Sequence, residues 1–530
     1  MRAGVLAFVA LAATGCDYVR GEALIVVDTD MPVPKIVSEL RVDIYSKDGS
    51  QWIASRTIPR ALPEQWPVSF SVFAEDMNGE RWALVRLRGY PAGYVQDYRG
   101  EAYISRPPPG TTPAAGCCTP DCLSLCPQYW SDPGPRLIST DGTDITPATE
   151  PQPLVTIDRI ILVHLVPGTR GKVVVTLAGA CDGTQAILPD PARDDPQATD
   201  IQSCVDTEAT VVPVSEVALD SDMTLPTTTH QGDFEKPLAV DCADDPKPEN
   251  PALHDGEICV RGGAMIFGGL DGREGSASAA NDNLPARVAT VPSFLMDRYE
   301  YSVARYRAAL SSGYSGSKGI ITNTTTAHAP NQSEGSTAQC TFTASPMGQE
   351  SQPLNCVDHP TSEDLCEFQG GSLPLEVQWE YAASVFGRSE KNFSTYEPGA
   401  GGAPSCQDVA WARGNGTASI DNTTCFLAKL PFGVADVDFG SDDTAFGSNG
   451  GGLIGMTGNV REHVADAFVS KRSNCALSSS LASPSCVVGA ATHSIRGGSW
   501  ESGPTDISTA SRRGLQDNAG TVSTGFRCVR

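Results

Sequence analysis

Basic residues are scarce in this 530-residue chain, which carries 38 Lys plus Arg against 63 Asp plus Glu for a formal charge of −25. No Lys/Arg run is long enough to neutralise several neighbouring phosphates, so nucleic acid is excluded as a partner and an anionic membrane surface is disfavoured. Long apolar runs are also missing: none reaches the roughly 18 residues that a transmembrane helix requires. Aromatics are 7% and charged residues 19%, beside 52 Gly and 39 Pro, which excludes a coiled coil or long-helix bundle and leaves loops dominant. The seven histidines (164, 230, 254, 328, 359, 463, 493) form no His-x3-His or His-Glu-x2-His pair. Neither a Gly-x-Ser-x-Gly elbow nor a phosphate-binding Gly loop occurs. At this length two to four domains are expected.

Cysteine, by contrast, is plentiful and odd in number, at 17. Arg2 gives the start of the chain a positive charge, Ala3 to Leu11 is apolar, and Ala12-Ala13-Thr14-Gly15-Cys16 is a small-residue cleavage site ending in cysteine. This segment resembles a bacterial lipoprotein signal peptide. The resemblance implies that residues 1–16 are the signal, that Cys16 is lipidated, and that its lipid is the membrane partner of an envelope or cell-surface protein. Sixteen cysteines then remain, an even set suited to disulfides outside the cytoplasm.

Residues 22–213 read as an all-β, sandwich-like domain. Leu40, Val42 and Ile44 alternate with polar residues, as do Val68, Phe70 and Val72, and Asn78-Gly79 is a hairpin signal ahead of Trp82, Leu84 and Leu87. Two β-rich runs, 157–166 and 172–178, flank a Pro-Gly turn, and the whole suggests an antiparallel sandwich. Cys117, Cys118, Cys122 and Cys126 are close enough to surround zinc, but lie among prolines and read better as a stapled loop. Residues 214–254, rich in Asp and Pro, read as a linker.

From 255 to 530 short helices alternate with Gly-rich loops. Tyr299, Val303, Tyr306 and Leu310 line one helix face that Ser302 caps. Thr361 to Asp364 reads as a capping box and Pro374 as the start of a further helix. Six segments then follow in order: 259–268 (CVRGGAMIFG), 294–302 (FLMDRYEYS), 371–382 (GSLPLEVQWEYA), 452–462 (GLIGMTGNVRE), 496–500 (RGGSW) and 525–528 (GFRC). Together they resemble the formylglycine-generating enzyme (sulfatase-modifying factor) family. That resemblance implies an irregular mixed α/β, disulfide-rich fold related to C-type lectins.

The family's enzymes oxidise a sulfatase cysteine to formylglycine with oxygen and a copper(I) ion held by two thiolates, its fitting soft ligands. The matching positions here carry Ser502 and Ile507, and no cysteine lies between Cys486 and Cys528, so copper is not expected. The resemblance further implies a Cys366–Cys528 disulfide and a calcium site built from Glu462 and the carbonyls of Gly458 and Val460. One ligand of that site is missing, since Gly455 stands where the family has Asp or Asn. Another departure is Ser372-Leu-Pro-Leu-Glu376 for Arg-Leu-Pro-Thr-Glu, which removes a helix-capping Thr worth about 1 kcal/mol. His463 follows Glu462 where the family usually has Trp and reads as a packed or solvated imidazole. Proximity couples Cys242 with Cys259, Cys340 with Cys356, Cys406 with Cys425, and Cys475 with Cys486.

The expectation is thus a lipid-anchored envelope protein whose family domain is a non-catalytic binding or structural module. Loops 311–355 and 385–450 would face an unknown protein or carbohydrate ligand. The competing expectation is an oxidase acting on a cysteine of an exported sulfatase-like substrate.

Overall fold

The computed structural model describes residues 20–49, 52–74, 80–97, 149–186, 188, 201–227, 229–240, 242, 256–268, 286–316, 340–343, 345–387, 434–438, 444–445, 452–456, 458–469, 482–486, 491–500 and 509–530. Cys16, the 117–126 cluster, Asn78-Gly79, Cys406, Cys425, Cys475, Ser502 and Ile507 lie outside them.

The N-terminal strands are β1 (Glu22–Thr29), β2 (Glu39–Tyr45), β3 (Trp52–Pro59), β4 (Val68–Phe73), β5 (Arg81–Tyr90), β6 (Val95–Asp97), β7 (Thr149–Pro151), β8 (Ile157–Leu165), β9 (Arg170–Leu177), β10 (Gln202–Cys204) and β11 (Val211–Pro213). Two sheets, ordered β4-β1-β9 and β3-β2-β5-β8, share one core. Period-two alternation delivers Ile25, Val27, Leu40, Val42, Val85, Leu87 and Val163 to it. Along β5, Leu84 and Leu87 face opposite sides: Leu84 joins a second cluster with Tyr45 and Ile160.

That second face explains why β2 buries polar as well as apolar residues. Arg41, Asp43, Arg88 and Glu150 are each under 10% exposed and pair among themselves, and the equally buried Asp158 pairs with Arg86. Asp43 accepts from Arg41 Nε at 3.1 Å and Arg88 Nη2 at 2.5 Å, and Arg41 Nη2 also reaches Glu150 at 3.0 Å. Burial alone would raise the Asp43 pKa, but Arg88 and Arg41 hold its carboxyl well below the usual range. Leu188, Ile201 and Val214 pack over the neighbouring apolar cluster, on a segment stapled by the Cys181–Cys204 disulfide.

One expectation changes. The domain is not wholly antiparallel, because β1 pairs with β9 in parallel from Glu22–Arg170 to Thr29–Leu177. Of the runs flanking the Pro-Gly turn, β8 pairs with β5 and β9 with β1, so the chain crosses between sheets there. Alternation marks which residues face a core but not which strand lies alongside.

The Asp/Pro-rich 214–254 stretch is not a free spacer in its described part. Val217 N–H donates to the Leu162 carbonyl at 2.9 Å, Lys172 and Asp220 exchange backbone bonds at 2.7 Å, and Phe234 N–H reaches the Asp30 carbonyl at 3.0 Å. Glu235 pairs with Lys35 of the β domain and accepts from the Ala264 N–H at 2.8 Å, clamping the two halves of the chain together. Ala264, Ile266, Ala286 and Val288 belong to the same apolar core as the β domain. Glu235→Ala is expected to cost about 1.5–3 kcal/mol, seen as a lower urea midpoint with an unchanged slope.

The C-terminal half holds β12 (Ile258–Val260), β13 (Gly263–Phe267), β14 (Arg287–Val291), β15 (Phe294–Met296), α1 (Val303–Ser311), α2 (His359–Phe368), α3 (Glu376–Ala383), β16 (Thr444–Ala445), β17 (Gly452–Leu453), β18 (Arg461–Ala467), β19 (Thr492–Arg496), β20 (Arg512–Gln516) and β21 (Thr524–Gly525). Strands pair as β12–β15, β13–β14 and β16–β17, and a four-stranded sheet runs β20-β19-β18-β21. Ser302 caps α1, accepting from Arg305 N–H at 3.2 Å. The cap of α2 is Asp358, not Thr361, whose N–H it receives at 3.0 Å; Pro360 is tolerated in the first turn, where no intrahelical donor is needed. Likewise α3 opens at Glu376 rather than at Pro374.

Disulfides join Cys242–Cys259, Cys340–Cys356 and Cys366–Cys528, all as expected, besides Cys181–Cys204, which had no expected pairing. Cys486 is disulfide-bonded too. These bonds point to an extracytoplasmic protein. Among the described residues no helix is long and apolar enough to cross a membrane.

Candidate functional site

The polar centre of the C-terminal domain is built around α3. Leu375 occupies its N-cap position and offers no side-chain cap, so the Glu376 N–H is taken up by Asp466 Oδ2 of β18 at 2.6 Å. The capping threonine that the family motif carries is thus replaced from another strand. The Glu376 carboxylate receives Arg496 Nη1 at 3.0 Å and Arg512 Nε and Nη2 at 2.6 and 2.9 Å, while Arg496 also binds Glu380 and the Thr509 carbonyl. All four side chains are buried. Burial, with repulsion from Glu376 second, pushes Asp466 up to about 6.

Trp379 connects this hub to the start of β18. Its indole N–H donates to Glu462 Oε2 at 2.7 Å, and the Arg496 guanidinium lies 5.4 Å from its ring centroid. Gly497 must be glycine: its φ is +75° and a Cβ there would meet the Trp379 ring at 3.0 Å. Glu462 also takes Arg527 Nε at 2.8 and 2.9 Å and Nη2 at 2.6 Å, a two-armed pair that is wholly buried. The remaining Arg527 donors reach the carbonyls of Asp297, Arg298 and Ile454.

The residues present do not fit calcium. Both oxygens of Glu462 are already engaged by an arginine and a tryptophan, so a cation there would have to displace a fixed positive charge. The place of the missing ligand is filled as well: a Cβ on Gly455, at φ +81°, would stand 3.1 Å from Glu300 Cδ. Glu300 accepts from the Val460 N–H at 3.1 Å and from Asn459 Nδ2 at 2.6 Å. Burial first and Glu462 second raise its pKa well above the ordinary value. All nine described cysteines are disulfide-bonded, so none of them offers a thiolate to copper(I). Among the described residues no three His, Cys, Asp or Glu side chains could hold a metal ion.

Three histidines do meet. His359 and His493 stack with ring centroids 3.7 Å apart and planes 13° from parallel, and His463 meets His359 edge-on at 5.7 Å. Lone pairs in two parallel ring planes do not converge on one ion. His463, expected as a packed or solvated imidazole, is packed, at 1% exposure. The cluster leaves no mark in the sequence because its members come from α2, β18 and β19, with no local spacing to betray them.

Of the candidate ligand loops, 317–339 and 388–433 lie outside the described residues. The described end of the first is pinned by Cys340–Cys356 and by Asn355, whose Oδ1 accepts from the Thr341 N–H at 2.8 Å.

The sequence profile of the sulfatase-modifying factor enzyme 1-like domain matches residues 243–530. Among solved structures, PvdO from Pseudomonas aeruginosa is similar at 17% identity, over 54% of this chain and 99% of that one, with a TM-score of 0.38. CarF is similar at 17% identity over 52% and 98%, with a TM-score of 0.31. Treponema denticola variable protein 1 is similar at 14% over 51% and 95%, with a TM-score of 0.30. No curated protein matches. The profile match begins at 243, just past Cys242, whose bond to Cys259 ties that boundary to β12. It takes in α3, the Glu462–Arg527 pair and the Arg496 turn, and the chain therefore belongs to the sulfatase-modifying factor family through residues 243–530.

Proposed function

We propose that this protein is a bacterial envelope protein, anchored by a lipid on Cys16, that presents its sulfatase-modifying-factor-like domain as a non-catalytic binding or structural module. The observation that carries this reading is the lack of thiolate for copper: Ser502 and Ile507 stand at the two ligand positions, and every described cysteine is already oxidised to a disulfide. A disulfide sulfur has no thiolate charge to hold copper(I). Glu376, Arg496, Glu462 and Arg527 are consumed in holding the described part of the domain together, which suits a scaffold. Its ligand, a protein or a carbohydrate by analogy with lectin-like folds, would meet loops 311–355 and 385–450. Neither copper nor calcium takes part.

The test is a copper-loaded assay with a Cys-x-Pro-x-Arg peptide. Aldehyde at the level of the metal-free control is expected, and formation above it would overturn the reading in favour of an oxidase. Titration of the denatured, unreduced chain is expected to find no free thiol between Cys117 and Cys528. Two free thiols there would reopen the case for copper.

A further inference from the structure

The histidine cluster lies at a joint. His359 is the first residue of α2, and its Nε2–H donates to the Val464 carbonyl of β18 at 3.0 Å. His463 of β18 returns the contact, its Nε2–H donating to the Val357 carbonyl just before α2 at 3.1 Å. Each segment therefore grips the other's backbone through one imidazole. On β19, His493 stacks against His359 and donates from Nδ1 to Asp517 at 2.5 Å. The His359 N–H in turn donates to the Asp517 carbonyl at 3.3 Å.

We propose that His359 and His463, with His493 stacked on His359, form an acid-released latch that holds the start of α2 on β18, while the Cys366–Cys528 disulfide keeps the far part of the helix tethered.

The reciprocal bonds fix His359 and His463 as Nε2–H tautomers, so a proton taken up by either ring goes to Nδ1. His463 Nδ1 is buried and has no hydrogen-bond partner, and a proton there would find no acceptor. A charge on His359 would lie against the face of His493 and the edge of His463. The groups facing the cluster are Asp358 and Glu363 of α2 and Asp517 after β20. The charges of Asp358, at the helix cap, and Asp517, bound to His493, act against a depressed pKa in the latch rings, but burial outweighs them.

Burial foremost, with the neighbouring histidines next for His359, lowers both latch rings to about 4. A depressed folded-state value means that the opened segment binds protons more readily, so the latch is whole above about pH 6.5 and weakens as pH falls toward 4. Asp466, further along β18 and raised to about 6, takes up its proton in the folded state and has the opposite sign. Global unfolding mixes the two effects, and a local measurement separates them.

Hydrogen exchange of the full chain, corrected for intrinsic exchange rates, is followed from about pH 7 to pH 4.5. Protection in 357–366 and 462–467 is expected to fall about a hundredfold by about pH 5.5, roughly tenfold for each latch histidine, with β13 and β14 little changed. His359→Gln with His463→Gln keeps an N–H donor at each position but cannot titrate, and is expected to flatten that dependence. Undiminished wild-type protection across the range, or an equal acid loss in the glutamine variant, would overturn the latch. Should the variant fail to fold, titration of the wild-type histidines by NMR decides: ordinary values for both latch rings would be equally fatal.

Discussion

Replacing Arg527 by methionine is expected to destabilise the C-terminal domain by about 3–5 kcal/mol. The guanidinium lies fully buried between Glu462 and three carbonyls, and Glu300 stands close enough for its charge to be felt. Removing it leaves the Glu462 carboxylate with the Trp379 indole as its remaining named donor and two glutamates facing each other. A methionine restores the volume but none of the charge, so the loss is one of desolvated carboxylate and not of packing. Changing Glu462 to leucine in the same chain removes the orphaned charge, and the double variant is expected to be more stable than the single one. Chemical denaturation followed by tryptophan fluorescence reads both. A double variant as damaged as the sum of its parts would show that the pair is not the source of the effect.

Removing Cys366–Cys528 by paired alanine substitutions is the second large change. Its half-cystines are 162 residues apart, which the chain-entropy model converts to about 5 kcal/mol, against about 3 kcal/mol for the 16-residue Cys340–Cys356 link. Cys486, which lies inside the long loop, is also disulfide-bonded and already constrains the unfolded chain, so the larger figure is a ceiling. The bond also fastens α2 to the final strand region, where Val529 bridges Met296 and Ser372. Denaturant midpoints of the two double variants give the comparison. An equal or smaller loss for the long loop would rule out loop entropy as the main source of its stability.

Much of the architecture was legible in the residues. Alternation in β2 and β4 marked the β domain, Ser302 marked the start of α1, and six ordered segments marked the family domain with its Cys366–Cys528 bond. Helix starts at α2 and α3 were misplaced because capping depends on which side chain turns back to the free N–H groups. At α2 that is Asp358, and at α3 it is Asp466, ninety residues away.

The composition and cysteine pattern by themselves determined an acidic, loop-rich, disulfide-stapled chain, since charge balance, turn residues and the supply of thiols are properties of residue type. Which strand lies beside which, that Glu462 binds Arg527 where calcium was expected, and that three histidines pack together were decided only by the tertiary structure. The reason is range. Turn and cap preferences act over a few residues, whereas these pairings join segments tens to hundreds of residues apart, and are selected by what a closed core can neutralise.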